Sequence, residues 1–532
     1  MIDETSPCKP TLVKVEQAAR PGTQELVLGD HVEIAKKIIE TLQQESGVEE
    51  SPVFARGKLR GYQPETGLWV EVEKHELIRM ISSFSGTVIP KGNKVSTLKL
   101  KYADISGIMK VLFGLRSRPG FFEDVPNGVA FTNGFLRLDP REGKSLAVLH
   151  EHAPEHRATF MLPFDYDPGA PATRWEMFLH EIFTHPSELI PAAQGGATEA
   201  DRAAFELDRT RRIAMLEEWL GACLVGVVVK YHTCLVLNGE GSNGKSVFLE
   251  VIRRLFPPES VRSIKPQKWS EKFSVADLEN CPINIVNEMP DAEMAGGDTF
   301  KAVIAGDPIQ AERKYQDPFT LKPRAGHIFA CNRLPGTMDQ STGFWRRWLI
   351  AMFDRTFDDR SKDVDLTSKL TTPEALKGIA ARVINAVITL ESRGKFIVPA
   401  SSEDAKSEWK MDSDQVMQFV SECCDGCHTV HTFDCGSEDD LCPETKCRVH
   451  SICGPEIYPL YREWSRACGH KTLARNNFLS RLKQLGHARR NKIEKWYALR
   501  IKDDARNRYS VASKTDAYDM PPLKKKEPAF QC

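Results

Sequence analysis

The octapeptide Gly239-Glu240-Gly241-Ser242-Asn243-Gly244-Lys245-Ser246 constrains this chain more than any other stretch, because it fits the pattern G-x-x-x-x-G-K-[ST]. It follows the apolar run Cys234-Leu235-Val236-Leu237 and opens Val247-Phe248-Leu249-Glu250-Val251-Ile252, whose pattern predicts a helix. In a strand, glycine-rich loop and helix of this order, backbone N–H groups turn inward around phosphates and the helix N-terminus favours negative charge. Lys245 then reaches the β/γ oxygens, and the Ser246 hydroxyl takes a place on Mg²⁺. The spacing predicts a nucleoside triphosphate site, with residues 239–246 as its cradle. A glycine-rich turn in an unrelated α/β domain is the weaker reading, since this strand-loop-helix context seldom arises by chance.

At 532 residues the chain exceeds one hydrophobic core and predicts three or four domains. Hydrophobic residues at 41% and charged ones at 27% fit a soluble protein, and no apolar run approaches the roughly 20 residues of a membrane span. The start, Met1-Ile2-Asp3-Glu4-Thr5-Ser6-Pro7, lacks the basic and apolar regions of a secretion signal, so a cytoplasmic location is expected. Residues 1–27 read as a loose leader. Helical spacing of Ile34, Ile38, Ile39 and Leu42, then short strands over 52–72, open an α/β N-terminal domain reaching residue 205. A second α/β unit, 206–395, begins with a helix over 211–229 and holds every nucleotide-related motif. A helical linker with a cysteine-rich stretch covers 396–453, a basic module 454–505 and a disordered basic tail 506–532.

Hydrolysis needs a carboxylate at the end of a neighbouring strand, and Ile283-Asn284-Ile285-Val286-Asn287-Glu288 supplies one. Because Asn287 stands where many ATPases have a second acid, metal organisation and base duty both fall on Glu288, with Asp291 as a helper. Another strand, His327-Ile328-Phe329-Ala330-Cys331, ends in Asn332, whose carboxamide suits orienting the attacking water. In Phe344-Trp345-Arg346-Arg347-Trp348, two guanidiniums stand among aromatics, and a fixed planar cation suits charge stabilisation on phosphate, including from a neighbouring subunit. Gly306-Asp307-Pro308 predicts a turn, and Arg313-Lys314-Tyr315 sets two cations beside an aromatic, a combination suited to gripping single-stranded DNA by phosphate contact and stacking.

Taken together, GEGSNGKS, INIVNE, FKAVIAGDPIQAERKYQDPF, FACNRLP and DQSTGFWRRW resemble, in order, the motifs of superfamily-three helicases in phage and plasmid primase-helicases, a group that includes the poxvirus replication ATPase. The resemblance implies an AAA+ ring, usually a hexamer, moving on DNA. It would make Lys245 and Ser246 the phosphate-loop residues, Glu288 the second acidic motif and Asn332 the sensor. Arg346 or Arg347 would be the trans-acting finger, and Lys314 would lie on the central-channel hairpin. Upstream, GYQPETGLW at 61–69, Asn133-Gly134-Phe135-Leu136 and Leu162-Pro163-Phe164-Asp165-Tyr166-Asp167-Pro168 look like the domain preceding the ATPase in these proteins. The primase-polymerase domain that many relatives carry further upstream is not expected here, so a separate primase or polymerase is the implied partner. Asp165 and Asp167 lie between two prolines as a turn, and His150, His152 and His156 lie in a polar stretch, so neither set reads as a metal site.

Seven of the fourteen cysteines lie between Cys423 and Cys453. Cys424-x-x-Cys427 has zinc-ligand spacing, and Cys442, Cys447 and Cys453 are the candidates to complete one or two tetrahedral Zn²⁺ sites, in a stretch with no apolar period of its own. After it, Ile457, Leu460, Tyr461 and Trp464 form one helical face, and Phe478, Leu479, Leu482 and Leu485 another. Trp496-Tyr497-Ala498-Leu499 reads as a returning strand, which predicts a winged helix. From Tyr461 to Lys502 twelve Lys or Arg stand against two Glu, a local +10 inside a chain of net charge −1. Arg475, Arg481, Lys483, Arg489 and Arg490 are the candidate contacts to forked DNA. The expectation is an ATP- and Mg²⁺-dependent replicative DNA helicase. A DNA-binding ATPase switch or loader without processive unwinding is the alternative, and a P-loop kinase fits the paired arginines and Asn332 less well.

Overall fold

The computed structural model describes residues 26–91, 94–141, 144–191, 194–290, 297–314, 318–337, 339–358, 362–426, 452–490, 495–497 and 499–509. These fall into two compact units, one drawn from Met1–Pro290, Gly296–Arg333 and Gly343–Glu403, the other from Asp291–Ala295, Leu334–Thr342 and Asp404–Cys532.

The centre of the first unit is a five-stranded parallel sheet in the order Val261–Arg262, Ile283–Val286, Gly326–Cys331, Cys234–Asn238, Trp348–Met352. Its inner strands are near-continuous apolar runs because both faces are covered. One face (Leu235, Leu237, Ile285, Ile328, Leu349) packs into a core with Phe248, Leu216 and Val383. On the other, Trp269 lies 4.5 Å from the His327 ring and Phe300 stacks on Trp348 at 4.8 Å.

The helices Glu199–Leu224 and Pro373–Arg393 carry that first face. The expected helix over 211–229 begins twelve residues earlier, at a capping box. The Thr198 hydroxyl accepts from Asp201 N at 3.2 Å, while Asp201 accepts from Thr198 N at 3.0 Å. Residues 199–210 have no apolar period to announce a helix, so only the cap marks it. The expected boundary at 205/206 therefore falls inside this helix. An ion pair and a hydrogen bond to the buried Glu217 tie its far end down: Arg382 Nε donates to Glu217 Oε1 at 2.5 Å, and Trp175 Nε1 donates to the same oxygen at 3.0 Å.

Upstream, the helices His31–Ser46, Lys74–Ser82 and Tyr102–Leu115 close around Ile34, Ile38, Leu77, Ile81, Ile108 and Leu112. An antiparallel sheet of Val53–Ala55, Lys58–Gln63 and Leu68–Glu71 covers Trp69, Phe121 and Phe122. A four-stranded sheet follows, in the order Lys144–His150, Gly134–Arg141, Gly128–Phe131, Met161–Leu162. Its Val129, Phe131, Leu136 and Leu162 join the same core as the parallel sheet, so the two expected domains share one interior.

In the second unit the helices Gln415–Cys423, Gly454–Ala467, Arg475–Gln484 and Asp503–Tyr509 surround Phe419, Tyr461, Trp464 and Phe478. The single strand expected over 496–499 is divided. Lys495–Tyr497 pairs with Ala488–Arg490 and Ile452–Cys453, whereas Leu499–Ile501 pairs with Cys424–Gly426.

Candidate active site

The loop after strand Cys234–Asn238 turns tightly, and its first and last glycines are sterically required. Gly239 has φ 155°, and a Cβ there would lie 2.4 Å from the Phe353 carbonyl; Gly244 has φ 89°, and a Cβ there would lie 2.7 Å from Ile182 Cγ2. The buried Asn243 side chain donates to Phe353 O at 3.1 Å, and Phe357 N donates to Ser242 O at 2.8 Å, so the segment 353–357, which follows strand Trp348–Met352, braces the loop. Lys245 begins the helix Lys245–Leu255. Its ammonium donates to Gly239 O at 2.5 Å, Glu240 O at 2.8 Å and Asn243 Oδ1 at 3.0 Å. Burial pushes the Lys245 pKa below the usual lysine value. A partly desolvated cation within reach of the loop is suited to an anionic ligand.

Glu288 and Asn332 emerge at the carboxyl ends of adjacent strands, joined beyond the sheet by Met289 N donating to Ala330 O at 2.8 Å. Asn287 Oδ1 accepts from Arg253 Nη2 at 2.9 Å, and Glu288 is the exposed acid that follows strand Ile283–Val286, in a cleft that Glu181 and Asp363 also line. The cleft, about 560 Å³, is lined by residues 241–247, Asn287, Glu288, Cys331 and Asn332 on one side. Sequence reasoning missed the rest of the lining, which mixes apolar and charged groups: Arg174, Met177, Phe178, Glu181 and Ile182 on helix Thr173–Ile182, with Phe357, Lys362, Asp363, Val364 and Leu366. Nothing in the spacing of those residues distinguishes a cleft wall from an ordinary buried helix face.

The expected finger pair separates. Arg346 follows the short helix Thr342–Trp345 and is exposed, whereas Arg347 is buried and its Nη1 donates to Gly343 O. Neither lines the cleft of its own chain. The expected hairpin is present, with Ile309–Ala311 antiparallel to Phe319–Leu321 and Lys314 exposed on the connection. Tyr315 lies outside the described residues. Arg313, one of the expected DNA contacts, is engaged within the protein. Its guanidinium pairs with the buried Glu279, donates to Arg56 O at 3.1 Å and lies 4.8 Å over the Phe319 ring, so it fastens the hairpin root.

Arg481, another expected DNA contact, is also engaged, its Nε donating to the buried Asp414 Oδ2 at 2.6 Å. Asp414 in turn caps helix Gln415–Cys423, and this places Arg481 in the packing of the unit. Arg475 and Lys483 are exposed, while the side chains of Arg489 and Arg490 are outside the description. The expected zinc set is not assembled among the described residues, where no group of three or more metal-ligating side chains occurs. Cys424 belongs to the apolar core of its unit, and burial pushes its thiol up to about 12. Cys427, Cys442 and Cys447 lie outside the described residues, as does the side chain of Cys453. Asp165 accepts from Thr132 Oγ1, Asp167 lies 3.7 Å from Lys377 Nζ, and His156 stacks on Phe135 at 4.2 Å.

Two families match parts of this chain. Residues 237–347 match a family of unknown function (DUF5906), and residues 42–184 match the family described as D5 N terminal like. A putative helicase of Acanthamoeba polyphaga mimivirus is 26% identical over 165 residues, covering 29% of this chain and 17% of that protein. A putative helicase of Invertebrate iridescent virus 6 is 27% identical over 143 residues, covering 25% of this chain and 15% of that protein. The matched segments thus span less than a fifth of each relative's length. Among solved structures, an apo structure of the NrS-1 C terminal region has TM-score 0.36 and 12% identity over 78% of this chain and 94% of that one. A second structure of that region has TM-score 0.34 and 13% identity, over 63% and 71% respectively.

Proposed function

We propose that this chain, which belongs to the phage and viral primase-helicase family, is an ATP-dependent replicative DNA helicase. One observation carries the reading. The phosphate loop, Glu288 and Asn332 converge in a single cleft at the carboxyl ends of three adjacent parallel strands.

Within that cleft Lys245 exchanges its loop carbonyls for β/γ-phosphate oxygens, and backbone N–H groups of 241–246 hold the remaining charge. Ser246 and Glu288, both exposed to the cleft, offer the hard oxygen ligands that Mg²⁺ takes. When bound, the metal neutralises charge shared by the β- and γ-phosphates. Glu288 also accepts the proton of the attacking water, which the Asn332 carboxamide orients. Arg346, exposed and outside its own cleft, suits a finger supplied to a neighbouring copy, which supports an AAA+ ring of the superfamily-three kind, expected as a hexamer. Lys314 on the exposed hairpin would track single-stranded DNA by phosphate contact. The second unit would act as a winged helix on forked DNA through Arg475 and Lys483, and a separate primase or polymerase would act with the ring. Zinc on the cysteine stretch remains part of this reading, and metal analysis of protein purified without chelator should find one or two ions. No described helix is long and apolar enough to cross a membrane.

ATP turnover with and without single-stranded DNA, together with displacement of a labelled strand from a fork, tests the assignment. DNA-stimulated turnover without displacement would favour the switch or loader. Absence of turnover would end both readings.

A further inference from the structure

A second cavity opens at the amino ends of the parallel strands, the opposite end of the sheet from the phosphate loop. Pro282 and Arg324 line it just ahead of strands Ile283–Val286 and Gly326–Cys331, and residues 128–130 and 156–160 face them from upstream. Four basic side chains line it, Arg56, Arg157, Lys322 and Arg324, and no carboxylate does. Carboxylates outside the lining answer two of these cations: Arg56 lies 3.4 Å from Glu279 and 3.9 Å from Glu123, and Lys322 lies 3.3 Å from Glu123. Arg157 and Arg324 have no such partner within ion-pair distance among the described residues. Arg157 Nη1 donates to Phe121 O at 2.9 Å and Asp124 O at 3.4 Å; Arg324 donates to Val125 O and Asn127 Oδ1, both at 3.3 Å. Because Asp124 and Val125 are consecutive, the two guanidiniums are held to one stretch of wall. Burial pulls the Arg324 pKa below the usual arginine value, and the charge of Asp124 only partly offsets it. A desolvated cation short of counter-charge favours an anion beside it. Gly226, with φ 77°, leaves that cation room, since a Cβ there would lie 3.3 Å from Arg324 Nη2. The remaining lining is mostly apolar and includes Phe122, Val129, Phe135 and Phe160. The His156 ring stacks on Phe135 at 4.2 Å, and its Nδ1 is buried without a hydrogen-bond partner.

We propose that this cavity binds a small organic carboxylate, its two oxygens on Arg157 and Arg324 and an apolar body of about one ring against Phe122, Val129 and Phe135. Size sets the limit on the body. The cavity is about 110 Å³, below the roughly 300 Å³ of an ordinary cofactor pocket and near the roughly 150 Å³ that takes a benzene ring. A nucleotide is therefore excluded, and the site is separate from the triphosphate cleft at the other end of the same sheet. Guanidinium forks match the paired oxygens of a carboxylate. Inorganic phosphate matches the charge but brings no apolar surface to cover the aromatic lining. A bound carboxylate would join Arg157, inside the segment matching the D5 N terminal like family, to Arg324, which leads into the strand before Asn332.

Calorimetric titration of the full chain with benzoate, benzamide and inorganic phosphate, each with and without saturating ATPγS, tests this. Benzoate should bind with a Kd of about 1 mM or tighter, within reach of a ligand this small. Benzamide has the same shape without the charge and should bind at least about tenfold more weakly, the scale of one charge-assisted hydrogen bond. Phosphate should also bind more weakly than benzoate, and ATPγS should displace none of the benzoate. Arg324→Gln should weaken benzoate about tenfold. Its ATP turnover should stay within about twofold of the parent, because Arg324 does not line the triphosphate cleft. Arg157→Gln should weaken benzoate likewise, and it decides the matter if Arg324→Gln does not fold. Absence of benzoate binding, equal binding of benzamide or phosphate, or benzoate affinity unchanged in both variants would overturn the carboxylate site. Displacement by ATPγS would overturn it too, by placing the ion in the triphosphate cleft.

Discussion

The Arg313 guanidinium is held by the Glu279 carboxylate, whose Oε1 also takes Arg56 Nε at 3.4 Å. Glu279 is buried, so its single negative charge is shared between two guanidiniums where water cannot screen them, and Arg56 also lies 3.9 Å from Glu123. Glu279→Gln would leave those cations without their shared partner, and breaking one side of a buried ion pair costs about 3–5 kcal/mol. Since Arg313 is about a quarter exposed, a loss near the lower end of that range is expected in urea unfolding. A loss under about 0.5 kcal/mol, the level of an ordinary surface change, would mean that the cluster is solvated and that Arg313 is available to DNA after all.

Lys245→Ala should abolish ATP turnover. The group removed is aimed at phosphate, and loss of one such charge-stabilising donor lowers turnover by about 100-fold or more. Far-ultraviolet circular dichroism should be unchanged, because the partners of the ammonium are loop carbonyls on the rim of the cleft. Retention of a tenth of the parent rate would count against the phosphate-loop assignment.

Lys314→Ala should separate hydrolysis from movement. The residue lies on the exposed hairpin connection and does not line the cleft, so basal ATPase should stay within about twofold while strand displacement is lost. Equal displacement by mutant and parent would take Lys314 off the DNA path.

The two neighbouring arginines should fail in different ways. Arg346→Ala should fold normally but lose turnover, and mixing it with Glu288→Gln should restore some activity, because a mixed ring contains interfaces with both groups intact. Arg347→Ala should instead lower stability by about 1–3 kcal/mol, since the partly buried Gly343 carbonyl loses its donor and the buried Arg347 side chain loses its packing. Mixtures with no regained turnover would show that Arg346 acts within its own chain or not at all.

His327 should make the protein sensitive to acid. Burial pushes its pKa down to about 3, and its Nδ1 lies 3.3 Å from Asn284 Nδ2. The unfolded chain takes up a proton near pH 6.5 that the folded chain refuses, so this contribution is complete above about pH 6.5 and falls as pH drops towards 3. At about 1.4 kcal/mol per pH unit, roughly 2 kcal/mol should disappear between pH 6.5 and 5. His327→Leu should flatten that slope in urea titrations. An unchanged slope would assign the acid sensitivity to another group.

The sequence by itself determined the features that depend on local chemistry. The phosphate loop at 239–246, the apolar strands ending in Glu288 and Asn332 and the hairpin carrying Lys314 were legible because each needs a particular residue type within a short span of chain. Strand and turn preferences act over a few residues, and the observed strands at Cys234–Asn238, Ile283–Val286 and Gly326–Cys331 follow the apolar runs closely. Tertiary structure alone decided which charges were free. Arg313, Arg346, Arg347 and Arg481 look equivalent in sequence, yet the distant carboxylates Glu279 and Asp414 take Arg313 and Arg481, and burial turns Arg347 to the Gly343 carbonyl while Arg346 stays exposed. The same holds for the part of the cleft lining that lies outside the sequence motifs. Met177 and Val364 are 187 positions apart and meet one cleft only because the helix Thr173–Ile182 packs on the core through Trp175 and Glu217, a long-range contact that no local pattern encodes.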